Sequence, residues 1–268
     1  MAGGGWPQPK GKGFIKLSEW WVISNQHFTD TGLIDPNTTN GIFTTSLYFE
    51  YGITDRLTVT SYIPFFSRAY YNNEISKTTG EVITPGDAIN SFGDTDIGIT
   101  YGLTKGKLNT TASLIFGLPL GVDDGGERET LQTGDGEFNQ FLKVDAGLGY
   151  KLAGANAYAN TYIGYNNRTR GFSDEFRWGV ESGVNLFSNK ILFLVRLFGV
   201  VSVRNGEGSV AENSTSIFAN NAEHLTISPE INYNIKDNWG LSVTYASALA
   251  GKLIFASPSY SVGVFAKF

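Results

Sequence analysis

From Phe43 onward the chain repeats with a period of two, one parity apolar or aromatic and the other small or polar. Extended strands with two unlike faces require this pattern. Phe43, Thr45, Leu47, Phe49 and Tyr51 stand against Thr44, Ser46, Tyr48 and Glu50. The connection Gly52-Ile53-Thr54-Asp55-Arg56 then leads to Leu57, Val59, Ile63 and Phe65 against Thr58, Thr60 and Tyr62, which reads as a hairpin. Similar segments recur at Ile97 to Leu103, Leu108 to Leu118, Leu142 to Leu152, Asn156 to Tyr165, Phe176 to Leu186, Leu225 to Ile235, Trp239 to Tyr245 and Ile254 to Phe268, with a less regular one from Ile191. Counting a first strand near Phe14 to Gln26, this predicts an all-β chain of about twelve strands. Each has about the 9–11 residues that a tilted membrane strand needs.

The connections alternate between turns of a few residues and longer segments near Phe28 to Asn40, Ser67 to Phe92, Pro119 to Glu137 and Asn205 to Glu223, rich in Gly, Asn, Asp, Ser and Thr. Short periplasmic turns and long extracellular loops are the asymmetry of an antiparallel up-and-down barrel in the bacterial outer membrane. The expected organisation is a short periplasmic segment over residues 1–12 and one transmembrane barrel over residues 13–268. Charge against hydrocarbon costs about 2–4 kcal/mol near the midplane, so the charged parity belongs in the lumen. That rule places Trp20, Tyr48, Glu50, Tyr62, Asp94, Asp96, Lys143, Asp145, Tyr158, Tyr162, Arg177, Glu181, Arg196 and Glu230 on the pore wall. Glu19 is the exception, sharing parity with Leu17, Trp21 and Ile23, which predicts either a bulge or a position near the interface. In the final strand Tyr260, Val262, Val264 and the terminal Phe268 are in phase and resemble an outer-membrane assembly signal.

Composition sharpens this reading. A mean hydropathy of −0.12 alone suggests a water-soluble protein, and the apolar run Ile191 to Val203 is interrupted by Arg196 and too short for a membrane helix of about 20 residues. Yet 33 glycines, 14% aromatic residues and only 17% charged residues favour strands and turns over helices. The alternative of a soluble β-sandwich accounts less well for so many long strands with regularly alternating connections. With no cysteine, disulfides, thiolate metal sites and cysteine nucleophiles are excluded. A net charge of −5 argues against nucleic acid as a partner. Met1-Ala2-Gly3-Gly4-Gly5 lacks the basic and apolar regions of a signal peptide, so a mature form with an export signal encoded upstream is expected.

Two motifs carry a family resemblance. Glu50-Tyr51-Gly52-Ile53-Thr54-Asp55-Arg56-Leu57-Thr58-Val59 and Phe92-Gly93-Asp94-Thr95-Asp96-Ile97-Gly98-Ile99-Thr100-Tyr101 resemble hairpin and strand motifs of outer-membrane transporters ascribed to phenol-degradation (MetA-type) pathways, distantly allied with long-chain fatty-acid transporters. The resemblance implies a barrel passing small hydrophobic or aromatic molecules. It departs at the N-terminus, where Ala2 to Lys12 is too short for the plug of the fatty-acid transporters.

Candidate chemistry is sparse. His27 and His224 are the only histidines, and Ser24 with His27, the nearest match to a barrel phospholipase pair, has an offset of three that splits the side chains between faces. No enzyme, metal site or cofactor is expected. Asp123, Asp124, Glu127, Glu129, Asp135 and Glu137 form a carboxylate-rich loop, either solvated or facing cations and lipopolysaccharide phosphates, without EF-hand spacing. Asn213-Ser214-Thr215 is a chance glycosylation match. The inward aromatics and charges allow passive passage of a small-molecule solute, or a filled barrel that presents its loops to a partner. Membrane lipid, lipopolysaccharide and the outer-membrane assembly machinery are the further expected partners.

Overall fold

The computed structural model describes residues 4–207 and 216–268, so Asn213-Ser214-Thr215 and part of the loop before Glu223 lie outside the described residues. The strands are β1 (Gly13–Phe28), β2 (Ile34–Gly52), β3 (Leu57–Tyr71), β4 (Glu74–Ile75), β5 (Val82–Thr84), β6 (Asp87–Ser91), β7 (Thr95–Thr104) and β8 (Leu108–Leu118). They continue with β9 (Asn139–Leu152), β10 (Ala155–Arg168), β11 (Glu175–Leu186), β12 (Ile191–Ser202), β13 (Glu223–Lys236), β14 (Trp239–Lys252), β15 (Ile254–Phe255) and β16 (Ser259–Lys267). β1 to β3, β7 to β14 and β16 pair antiparallel around a ring, and β16 closes it on β1 from Phe14 opposite Lys267 to Val22 opposite Ser259. This is a closed twelve-stranded barrel. Closure matters because hydrocarbon cannot satisfy a free strand edge.

Burial is inverted relative to a water-soluble fold. Ser46, Thr111, Ser113, Asp145 and Asn166 are at most 2% exposed, whereas Ile163 is 63% and Val243 58% exposed. One strand face encloses polar groups and the other offers apolar ones outward. On the outer face Trp21, Tyr260 and Tyr245 lie ring against ring, at 5.8 Å and 5.6 Å between centroids. Nearer the chain termini, Phe268 packs on Phe49 and Tyr51 at 6.5 Å and 6.4 Å. Two such aromatic rows bound the apolar band of an outer-membrane barrel.

Short turns and long connections segregate to opposite ends. Ala153 and Gly154 both take positive φ (49° and 87°) between β9 and β10, the conformation that lets a two-residue turn follow the strand twist. At the other end two expected loops are shorter than the sequence suggests. β2 begins at Ile34 and β3 runs to Tyr71, with β6 paired to the latter from Ser67 opposite Ser91. Alternation fades there because the strands have left the membrane, yet ladder pairing holds them extended. A bulge opposes Pro64 and Phe65 on β3 to Ser46 on β2. It reverses the inward parity of β3, from Thr58 below it to Ser67 and Ala69 above.

Glu19 is settled by register. β1 pairs without a break with β16 and β2 around it, and the irregularity in β1 comes only at Ser24 and Gln26. Glu19 therefore stays on the outer parity, opposite Thr45, whose hydroxyl donates to its carboxylate at 2.5 Å. It lies one outward position from Trp21 in the upper aromatic row.

Candidate functional site: the barrel lumen

Three layers occupy the lumen, and the first comes from the N-terminus. The segment too short for a plug domain has Gly4 to Gln8 inside the barrel. The Gly5 N–H donates to Asn160 Oδ1 at 2.9 Å, and the Gly4 carbonyl accepts from the Thr111 hydroxyl at 2.9 Å. Trp6 meets the Tyr158 ring edge-on at 6.0 Å. The Gln8 N–H donates to the Thr58 hydroxyl oxygen at 2.8 Å, and its side-chain amide donates to Glu50 at 2.7 Å. The passage is tight. A Cβ on Gly5 lies 2.5 Å from the Gly147 nitrogen, and one on Gly147 lies 2.5 Å from the Trp6 ring. The glycine run thus has a reason that composition alone does not reveal.

The outer layer is the connection between β8 and β9, residues 119–138. Asp94 anchors it by accepting from the N–H groups of Gly121 at 2.9 Å and Asp135 at 2.8 Å. Arg168, whose side chain is 3% exposed, binds Asp135, Glu137 and Glu175 at 2.8, 2.8 and 2.9 Å and lies 4.4 Å over Phe172. From these anchors the loop reaches the far wall, where Leu131 is buried with Val22, Ile42, Ala69 and Phe255 and borders Trp20 and Phe218. Asp135 and Glu137 are thus counter-ions of a buried arginine, while Asp123 reaches only the exposed Arg170 at 3.4 Å. In the neighbouring turn Asp174 accepts from Tyr165, Asn167, Asn205 and the Arg168 N–H. Burial works against its ionisation, but these donors outweigh it and hold its carboxyl below the usual range.

Between the two lies a cavity of about 210 Å³. Its wall follows from strand register. Tyr48 on β2 stands opposite Tyr62 on β3, and Tyr62 opposite Asp96 on β7. Nearer the termini Thr58, Thr100, Ser113 and Lys143 form the next row. Trp6, Pro7 and Glu50 complete the lining. Glu50 accepts from Tyr48 and Gln8, and Lys143 pairs with Asp145 at 3.2 Å.

Of the residues read as pore wall, the structure brings Tyr48, Glu50, Tyr62, Asp96 and Lys143 to this cavity. Asp145 sits behind Lys143, whose ammonium also lies 5.3 Å from the Tyr162 ring. A separate network joins Arg196 to Glu181 and to Glu230 at 2.7 Å, with Lys16 3.5 Å from Glu230 and Tyr158 donating to Glu181 at 2.5 Å. Arg177 is held by Glu175 at 2.6 Å. Trp20 and Asp94 belong to the outer layer. Sequence patterning missed Gly4 to Gln8, Leu131 and Arg168, because loop and leader residues carry no period; the buried Arg168 lies one residue before the turn that ends β10. The Ser24 hydroxyl donates to the Gln26 carbonyl and lies within hydrogen-bond distance of the Ser257 hydroxyl, so it forms no pair with His27. Among the described residues no cluster of three or more metal-ligating side chains is present. Tyr260, Val262, Val264 and Phe268 lie on the outer face, 43–52% exposed.

No family model and no curated protein matches the sequence. Solved structures do match the fold. An outer-membrane channel from Pseudomonas putida F1 superposes with a TM-score of 0.66 at 13% identity, covering 100% of this chain and 99% of the other. The KdgM porin, solved with disordered oligogalacturonate, gives 0.52 at 8% identity over 95% and 99%. The translocator domain of the autotransporter NalP from Neisseria meningitidis gives 0.53 at 10% identity over 97% and 90%. At such identities the likeness is one of fold, and this chain is a β-barrel of the bacterial outer-membrane kind.

Proposed function

We propose that this barrel is a non-enzymatic outer-membrane channel for small molecules, hydrophobic or aromatic bodies among them, held here with both mouths covered. The observation that carries the reading is the cavity in the lumen, bounded by Gly4, Trp6 and Pro7 of the leader and by barrel-wall side chains. Wall side chains do not fill the middle of the lumen, and the groups covering its ends are a leader and a loop, which move more readily than strands. Aromatic rings with a few convergent polar groups are the usual lining of a small-molecule site. The hairpin motifs, with their likeness to transporters of phenol degradation, agree with that class. The same reading has lipid against the apolar belt, lipopolysaccharide beside the long outer loops, and Tyr260, Val262, Val264 and Phe268 recognised by the assembly machinery.

Planar-bilayer recording tests the channel. The full chain is expected to conduct in brief openings, and a chain lacking residues 2–9 to conduct for longer or at a higher level. Silence from both, with liposomes that do not swell in small solutes, would leave the second reading, a closed barrel presenting its outer loops to a partner. The tight anchoring of both covers favours that alternative.

A further inference from the structure

We infer that the central cavity is a site for a small organic cation, an ammonium carried on a flat or compact apolar body; this rests on the lumen being a solute site. The charge balance of the wall carries it. Glu50 is 5% exposed, and its hydrogen-bond donors are Gln8 and Tyr48, both neutral. Asp96 faces the same cavity as an exposed side chain, and no side-chain hydrogen bond or ion pair engages its carboxylate among the described residues. Lys143 is the one cation on the wall, and Asp145 neutralises it at 3.2 Å. Arg177, two strands beyond Lys143, is bonded to Glu175 at 2.6 Å and acts on Asp96 only from beyond salt-bridge range. The cavity is therefore lined by two carboxylates that no salt bridge engages among the described residues.

The aromatic part of the lining points to the same ligand. Trp6, Tyr48 and Tyr62 line the cavity alongside those carboxylates. Ring faces attract cations through their quadrupole, and more strongly where water is displaced. An anion entering here meets two carboxylates, and a neutral aromatic leaves both outside any salt bridge. The volume of about 210 Å³ equals roughly seven water molecules at about 30 Å³ each, enough for a benzylamine-sized body.

Titration calorimetry on the detergent-solubilised full chain, with benzylamine, benzyl alcohol and benzoate as isosteric probes, tests this. Benzylamine is expected to bind at least about tenfold more tightly than benzyl alcohol, and benzoate more weakly than either. Asp96→Asn should remove most of the preference for the amine while leaving the heat-modifiable gel mobility of the barrel unchanged. Should that variant fail to fold, the three probes on the parent chain decide alone. Benzyl alcohol or benzoate binding as tightly as benzylamine overturns the proposal, as does a folded Asp96→Asn barrel with the preference intact. A barrel that binds the amine but never conducts overturns the channel reading and spares this one; a conducting barrel indifferent to charge does the reverse.

Discussion

Arginines 168 and 170 stand two positions apart and show how strongly context sets the worth of a charge. Arg168 is enclosed with three carboxylates, whereas the side chains of Arg170 and Asp123 are 65% and 42% exposed at 3.4 Å. Breaking a buried pair strands an uncompensated charge and costs about 3–5 kcal/mol, whereas an exposed pair contributes about 0–1 kcal/mol. Arg168→Met is expected to lower stability by several kcal/mol and Arg170→Met by less than about 1 kcal/mol, read from urea unfolding in lipid vesicles. Equal effects would mean that water reaches Arg168. Glu19 is the outward counterpart. Near the interface a lipid-facing acid costs at most about 1 kcal/mol, so Glu19→Leu should leave stability unchanged or raise it slightly in the same assay.

The leader and the loop between β8 and β9 are held differently, and their variants should respond differently. The leader depends on the absence of side chains at Gly5 and Gly147. Gly5→Val is expected to expel it, lengthening channel openings while the barrel keeps its folded gel mobility. The loop is seated by Leu131 in an apolar cluster on the far wall. Leu131→Asp places a carboxylate among apolar side chains at a cost of several kcal/mol unless the loop lifts out. Single-channel recording should therefore show a higher open probability, and a closed-state lifetime equal to that of the parent would argue against the loop as the outer cover.

The barrel's inverted burial ties it to an apolar solvent. Rows such as Ile97, Ile99 and Leu103 are 44–50% exposed on the outer face. An apolar surface of this extent associates in water. Sedimentation is expected to show a folded monomer only with detergent or lipid, and a compact monomer in plain buffer would contradict the membrane assignment. The lumen in turn keeps its charges by pairing them, as Arg196 does with Glu181 and Glu230. Glu50 and Asp96, like Asp94 in the outer layer, take part in no salt bridge among the described residues, and the first two face the cavity.

Alternation was enough to read the strands, their number, the faces of most charged residues and the gathering of short turns and long connections at opposite ends, because a period of two follows from backbone geometry and the membrane rewards it in every strand. It failed beyond the upper aromatic row at β6, where Ile89 packs on the cluster around Leu131, and at the start of β2, where ladder hydrogen bonds keep an exposed stretch extended. It was also silent on the leader, on Leu131 and on the partners of Arg168. These positions are fixed by contacts between segments far apart in the chain, such as Gly5 with Asn160 and Leu131 with Val22. The wall of this protein is written locally in its residues. What stands inside the wall, and which carboxylates are left outside any salt bridge there, depends on closure of the ring, which brings β1 to β3 face to face with β9 to β13 across a space too narrow to leave their side chains independent.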